Sequence, residues 1–258
     1  MAKQRAGGVL VAVLGAAVIT VCAAQSREQP RPPDGGTREV LISILIPSIP
    51  NAPFSATVIT HTTRQFADGT TVTQGNHRAI ARDRAGRIFQ ERRMLVPEDG
   101  KHESILTQIE ISDPVAHELY ICVPQENACQ VETFSAPAFS PPAAASSANS
   151  SHTVEDLGRQ TLGGLETAGR RETTVIESGA IGNDQPMLVR REFWYSPQLA
   201  VNVVSKVQDP RSGTQEFEMS DIVLGDPDAK LFKIPKNATL YDLRSPAKSP
   251  SSKNPSPN

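Results

Sequence analysis

Turn-forming dipeptides interrupt the chain so often between residues 53 and 240 that long helices are excluded, and the stretches between them are short and rich in β-branched residues. An antiparallel meander is the architecture that such punctuation permits. Residues 56–66 run into Asp68-Gly69, a hairpin dipeptide, and 70–73 run away from it. Residues 77–82 and 87–96 flank Asp83-Arg84-Ala85-Gly86. Ile105, Thr107, Ile109 and Ile111 alternate with Leu106, Gln108, Glu110 and Ser112, as a half-buried strand requires, and Asp113-Pro114 ends the run.

Residues 135–152 break the pattern with Pro137, Pro141-Pro142, an alanine run and serines, which read as a loop. Beyond them Leu162-Gly163-Gly164-Leu165 suits a tight hairpin, and residues 187–195 and 199–207 are strands around Ser196-Pro197-Gln198. Leu199, Val201 and Val203 share one face of the second. Asp209-Pro210-Arg211-Ser212-Gly213 is a turn, and 216–224 a further strand. Asp226-Pro227-Asp228 supplies a cap and a proline at the first helical position, predicting one short helical turn through Leu231-Phe232. Residues 41–46 form an apolar run, either a first strand or a short helix lying on the sheet.

About ten strands and one or two short helices follow, a mainly β fold with minor α. Neither block of strands alone has enough alternating apolar positions to bury both of its faces, and free edges are costly in solubility. One curved antiparallel sheet interrupted by the 135–152 loop is therefore expected in place of two sheets.

The ends of the chain address its compartment. Lys3 and Arg5 precede an uncharged stretch from Gly7, and Cys22-Ala23-Ala24 is an A-x-A-like cleavage site, so residues 1–24 read as a secretory signal. A retained anchor is disfavoured because the strongly apolar core is shorter than a bilayer, and lipidation at Cys22 because Val21 is larger than the small residue usual before it. A membrane tether is thus not favoured, and the mature protein is expected in the periplasm or outside the cell. Residues 25–52 are a flexible leader carrying the short apolar segment, 53–243 a single β-rich domain, and 244–258 a disordered tail of Ser, Pro and Lys.

Without Lys3 and Arg5, 24 basic residues face 28 acidic ones, a formal charge of −4. The doublets Arg92-Arg93, Arg170-Arg171 and Arg190-Arg191 each lie beside acids and read as solvated strand faces, so nucleic acid is not an expected partner. The mature chain keeps Cys122 and Cys129 on either side of the turn-like Pro124-Gln125-Glu126-Asn127, and export favours their oxidation. If Val123 faces Ala128, Cys122 faces Cys129. The bridge closes a short loop, adds at most ~2–3 kcal/mol, and lacks the spacing of a redox or metal pair.

No nucleophile elbow, phosphate loop, zinc-protease helix or EF-hand loop is present. His61, His77, His102, His117 and His152 are scattered, and Asp68, Asp83, Asp113, Asp209 and Asp226 all sit in turns or beside Gly or Pro, where they cap backbone donors. No catalytic residue, metal ligand or cofactor site is assigned. Phe193-Trp194-Tyr195 concentrates aromatic residues in a chain only 5% aromatic; in a regular strand Phe193 and Tyr195 face one way and Trp194 the other. Core packing is the simpler account of these rings, and a ligand platform the alternative.

Several motifs occur together in order. Leu157-Gly158-Arg159-Gln160-Thr161-Leu162-Gly163-Gly164-Leu165 resembles a hairpin of exported lipoprotein-carrier-like proteins. Trp194-Tyr195-Ser196-Pro197, Asp221-Ile222 and residues 228–235 resemble that group's later strands and its closing turn, and residues 111–120 resemble a hairpin of bacterial secreted relatives. The chain from about 55 to 240 is thus similar to the LolA/LolB-like and RseB-like superfamily. That resemblance implies an open half-barrel with an apolar concave side, and binding of acyl chains or sensing of envelope lipids or proteins. The chain departs from it in having little helix to close a cavity.

A non-enzymatic exported binding protein is the resulting expectation, its curved sheet accommodating a hydrophobic ligand such as an acyl chain, or a partner segment. Candidate lining residues are Ile109, Ile111, Phe193, Tyr195, Val201, Val203, Phe217 and Met219. The alternative is a structural or regulatory interaction module of the envelope, acting through sheet edges and proline-rich segments.

Overall fold

The computed structural model describes residues 44–135 and 150–244. All of them fall within the compact unit Val40–Asn258; the other unit, Met1–Glu39, lies outside them, and so do the expected signal sequence at 1–24, most of the expected 135–152 loop and the tail from 245. The described residues form thirteen strands in one open sheet, with no helix of seven residues or more.

Strands β1 (Phe54–Gln65), β2 (Thr71–Arg82), β3 (Ile88–Arg93), β4 (Val96–Pro97), β5 (Leu106–Asp113), β6 (Glu118–Val123) and β7 (Ala128–Thr133) meander outward from β1. The chain then re-enters at the opposite edge. Strands β8 (Ser150–Leu162), β9 (Leu165–Ile176), β10 (Met187–Ser196), β11 (Val201–Asp209) and β12 (Gly213–Leu224) meander back until β12 pairs with β1. That antiparallel pairing, from Phe54↔Leu224 to Thr63↔Thr214, fuses the two meanders into the single sheet expected. A last strand, β13 (Thr239–Asp242), lies parallel to β7 and ends that side.

Local chemistry accounts for the turns. Phe66 and Thr70 close a hairpin whose Gly69 has a positive φ of 87°, and Asp68 accepts from the Thr70 N–H at 2.9 Å. Gly163 and Gly164, at φ 54° and 79°, make the β8–β9 turn the two-residue type that needs two left-handed residues. Cys122 pairs directly with Cys129 and the two are disulfide-bonded, across a short 3-10 turn at Pro124–Glu126. The second 3-10 turn, Ala229–Phe232, is capped by Asp228, which accepts from the Lys230 N–H at 2.9 Å. The sequence placed that cap at Asp226; Asp226 instead pairs with Arg84 at 2.9 Å. Residues 44–49 are neither strand nor helix, yet Ile44 and Ile46 are buried.

Two apolar clusters form on opposite faces. The larger gathers Phe54, Val58, Ile80, Ile88, Leu199, Val201, Val203, Phe217 and Met219 beneath Ile44, Ile46 and Leu165. The smaller holds Ala81, Phe89, Ile111 and Phe232, with Ile109, Tyr120 and Leu231 against it. Ile80 and Ala81 are consecutive in β2 and belong to different clusters, which fixes the clusters to the two sides of the sheet. Each fully buried large side chain contributes about 1.5–3 kcal/mol.

The sheet also curls. Three strand steps separate β9 from β12, about 14 Å in a flat sheet. Nevertheless a Cβ on Gly163, in the turn leading into β9, would lie 2.7 Å from Ile222 Cδ1 in β12. The β8–β9 turn therefore leans over the end of β12, and Leu162 packs on the larger cluster.

Where the curl meets the segment before β1, Arg82 is fully buried. Its Nε donates to Ala52 O at 2.9 Å, Nη1 to Pro47 O at 2.9 Å, and Nη2 to Leu199 O at 2.7 Å. The guanidinium also stands 5.1 Å from the Phe54 ring centroid. Burial pushes its pKa down to about 10. Replacing Arg82 by Met leaves the buried carbonyl of Leu199 and the half-buried carbonyls of Pro47 and Ala52 without this donor, and a loss of ~3–5 kcal/mol is expected in urea unfolding. Lys, whose three N–H donors radiate from a single nitrogen and cannot span the planar fork, is expected to recover only part of that loss.

Candidate functional site

The lining residues proposed from sequence fall into three places. Val201, Val203, Phe217 and Met219 come together, each 1–3% exposed, within the larger cluster. Phe193 continues that face, because it pairs with Ser205, which pairs with Phe217. Ile109 and Ile111 lie on the opposite face, against Phe89 and Tyr120. Tyr195 lies past a register slip between Trp194 and Tyr195 and is 42% exposed, whereas Phe193 is half-buried. The expected alternation along Phe193-Trp194-Tyr195 is interrupted by that slip, so the two outer rings have different surroundings. Trp194 lies on Gly169, where an added Cβ would meet its ring at 2.5–2.8 Å, and its Nε1 donates to Glu192 Oε1 at 2.9 Å.

A row of charges crosses the sheet beside Trp194. Glu155 of β8 stands opposite Arg171 of β9, Arg171 opposite Glu192 of β10, Glu192 opposite Lys206 of β11, Lys206 opposite Glu216 of β12, and Glu216 opposite His61 of β1. The Arg171 guanidinium reaches Glu155 at 3.0 Å and Glu192 at 2.9 Å, and Lys206 reaches Glu216 at 2.7 Å. His61 pairs with Glu98, whose side chain crosses Gly75, the next position in the row. Burial acts to raise the Glu192 carboxyl, but the bonds from Trp194 and Arg171, with the Arg171 and Lys206 charges, hold it below its ordinary value. The same bonds to Glu192 and Glu155 hold Arg171 above its own.

One step along the strands, Thr173, Arg190 and Gln208 stand side by side. With the charged row they border an open recess of ≈ 510 Å³ that has no apolar side chain in its lining. Its chemistry suits polar groups and not hydrocarbon. The arginine doublets pointed to charged strand faces, but the row joins residues from five hairpin-connected strands and β1, and only the register aligns them. Among the described residues, no group of three or more His, Cys, Asp or Glu could hold a metal ion. No helix among them is long and apolar enough to cross a membrane.

The sheet ends in two unlike edges. β13 is four residues long, and Leu240 and Tyr241 on it are 47% and 56% exposed. β8 is 13 residues long, and the side chains from Ser151 to Asp156 are all exposed, with Val154 at 57%. A register slip between Asp156 and Gly158 divides it; Gly158 has φ 80° and donates its N–H to Asp156 Oδ1 at 2.8 Å. Among the described residues, β8 has a strand partner on one side alone.

No protein-family model matches the sequence, and no curated protein matches it. Solved structures similar to the chain include an uncharacterized conserved protein from Thermus thermophilus, at 11% identity over 74% of this chain and 90% of that one, with a TM-score of 0.37. The Pseudomonas aeruginosa MucA/MucB complex is similar at 11% identity over 73% of this chain and 58% of that one, with a TM-score of 0.39. LolA superfamily protein NE2245 from Nitrosomonas europaea is similar at 11% identity over 72% of this chain and 91% of that one, with a TM-score of 0.29.

Trp194 is the one tryptophan of the chain, so its fluorescence reports this face alone. Gly169→Ala is expected to displace the ring, shift its emission and cost about 1–3 kcal/mol in unfolding. Elsewhere on the same face, beside the smaller cluster, Tyr120 donates its hydroxyl to Glu118 Oε2 at 2.6 Å. That bond, helped by burial and the Glu118 charge, pushes the phenol up to about 12. Because the folded value lies above the unfolded one, the associated stability is complete below pH ~10 and is lost as pH rises toward ~12. Absorbance titration at alkaline pH is expected to show a phenolate step near 12 that Tyr120→Phe removes and Glu118→Gln moves downward.

Proposed function

We propose that this exported chain is a non-enzymatic binding protein that takes an extended segment of another polypeptide onto the β8 edge of its sheet. The observation that carries the reading is the edge itself: β8 is 13 residues long, lies at the end of the strand order, and exposes every side chain from Ser151 to Asp156. A ladder of N–H and C=O groups that no described strand pairs is a template for an incoming strand, with affinity from the main chain and specificity from alternate side chains. Export to the periplasm or beyond would set it among envelope or extracellular proteins.

A hydrophobic ligand is the occupant that the geometry supports less. Val201, Val203, Phe217 and Met219 are engaged with one another and with Ile44 and Ile46, and the open recess has a charged and polar lining. An acyl chain gains little on such a surface, since its transfer from water is driven by contact with apolar area.

Photo-crosslinking in the secreting host tests the reading. A crosslinking residue at Val154 is expected to give a discrete polypeptide adduct, and one at Val72, which is 41% exposed on β2, to give none. Absence of an adduct at Val154, or a stoichiometric acyl lipid retained by the gently purified protein in native mass spectrometry, would overturn it.

A further inference from the structure

The charged row carries a rule about what β8 accepts. Within the row, each acid stands between two basic residues: Glu192 between Arg171 and Lys206, and Glu216 between Lys206 and His61. Glu155 is the exception. It has Arg171 on one side, its other side faces the edge that no described strand pairs, and its side chain is 61% exposed. A strand added to β8 would place one residue directly opposite Glu155, with the two Cβ atoms about 4.5–5.5 Å apart.

We infer that the β8 edge selects extended segments carrying Lys or Arg at the position opposite Glu155, so that the bound segment supplies the missing cation of the row. This rests on the edge reading given above. Neighbouring positions refine the pattern. Val154, 57% exposed, projects from the other face and favours a β-branched or apolar partner. Thr153 belongs to the polar row of Thr173 and Arg190 and favours a Thr or Ser partner. The slip at Gly158 confines regular pairing to the arm before it, Ser150 to Asp156. β9 already obeys the rule from the inner side, presenting Arg170 and Arg171 to Asp156 and Glu155.

The test uses the full mature protein and three labelled peptides of sequence Ser-Thr-Val-X-Val-Thr-Ser, with X as Lys, Gln or Glu, titrated by fluorescence anisotropy in low-salt buffer. The Lys peptide is expected to bind about 2–5-fold more tightly than the Gln peptide, with the Glu peptide weakest. Glu155→Gln is expected to abolish that preference and Glu155→Lys to reverse it toward the Glu peptide. Equal binding of the Lys and Gln peptides, or a preference that survives in Glu155→Gln, overturns the inference and leaves the edge reading standing. Failure of all three peptides to bind, together with unchanged amide exchange in β8, overturns both.

Discussion

A single buried guanidinium, that of Arg82, connects the parts of this sheet that its backbone ladders do not. Its three donors reach carbonyls before β1 and, at Leu199, in the β10–β11 connection, 117 residues along the chain. No carboxylate takes part in these bonds. The acceptors are neutral, so the tie depends on the planar fork matching three fixed carbonyl directions, with the Phe54 ring beneath the charge. The same contacts hold residues 44–49 where Ile44 and Ile46 can cover the larger cluster. A leader of irregular backbone is thereby made part of the core.

That covering decides what the two faces can do. β1 and β12 bring the most apolar positions of both meanders together, and these positions then satisfy one another. The opposite face divides in two: a smaller apolar cluster beneath the Ala229–Phe232 turn, and the charged row with its polar neighbours. Surface ion pairs contribute little individually, but an alternating row fixes register, because a slip of one residue turns each side chain to the other face.

Much of this was legible in the residues. Asp68-Gly69, Gly163-Gly164 and the four residues between the cysteine strands have one economical backbone solution each, and the hairpins follow from them. The curved single sheet followed from too few apolar positions to bury two separate ones. What escaped the sequence was set at long range. Strand alternation gives two faces without saying which is which, so Ile109 and Ile111 were grouped with Val201 and Val203 from across the sheet. β4 and β13 are too short to announce themselves, and residues 150–152 extend β8 into a stretch read as loop. The slip beside Trp194 reverses no composition rule, because it depends on how β11 pairs. Charge alternation across six strands cannot be read along one of them.

The union of β1 with β12 also bears on the order in which the chain acquires its structure. A polypeptide synthesised from its amino end delivers β1 early and the strand that completes it near the last. Until then the hairpins on either side can form from local contacts, while the middle of the future sheet remains an open flank. Non-local closure of this kind is slow and leaves that flank available to other nascent chains until β12 arrives.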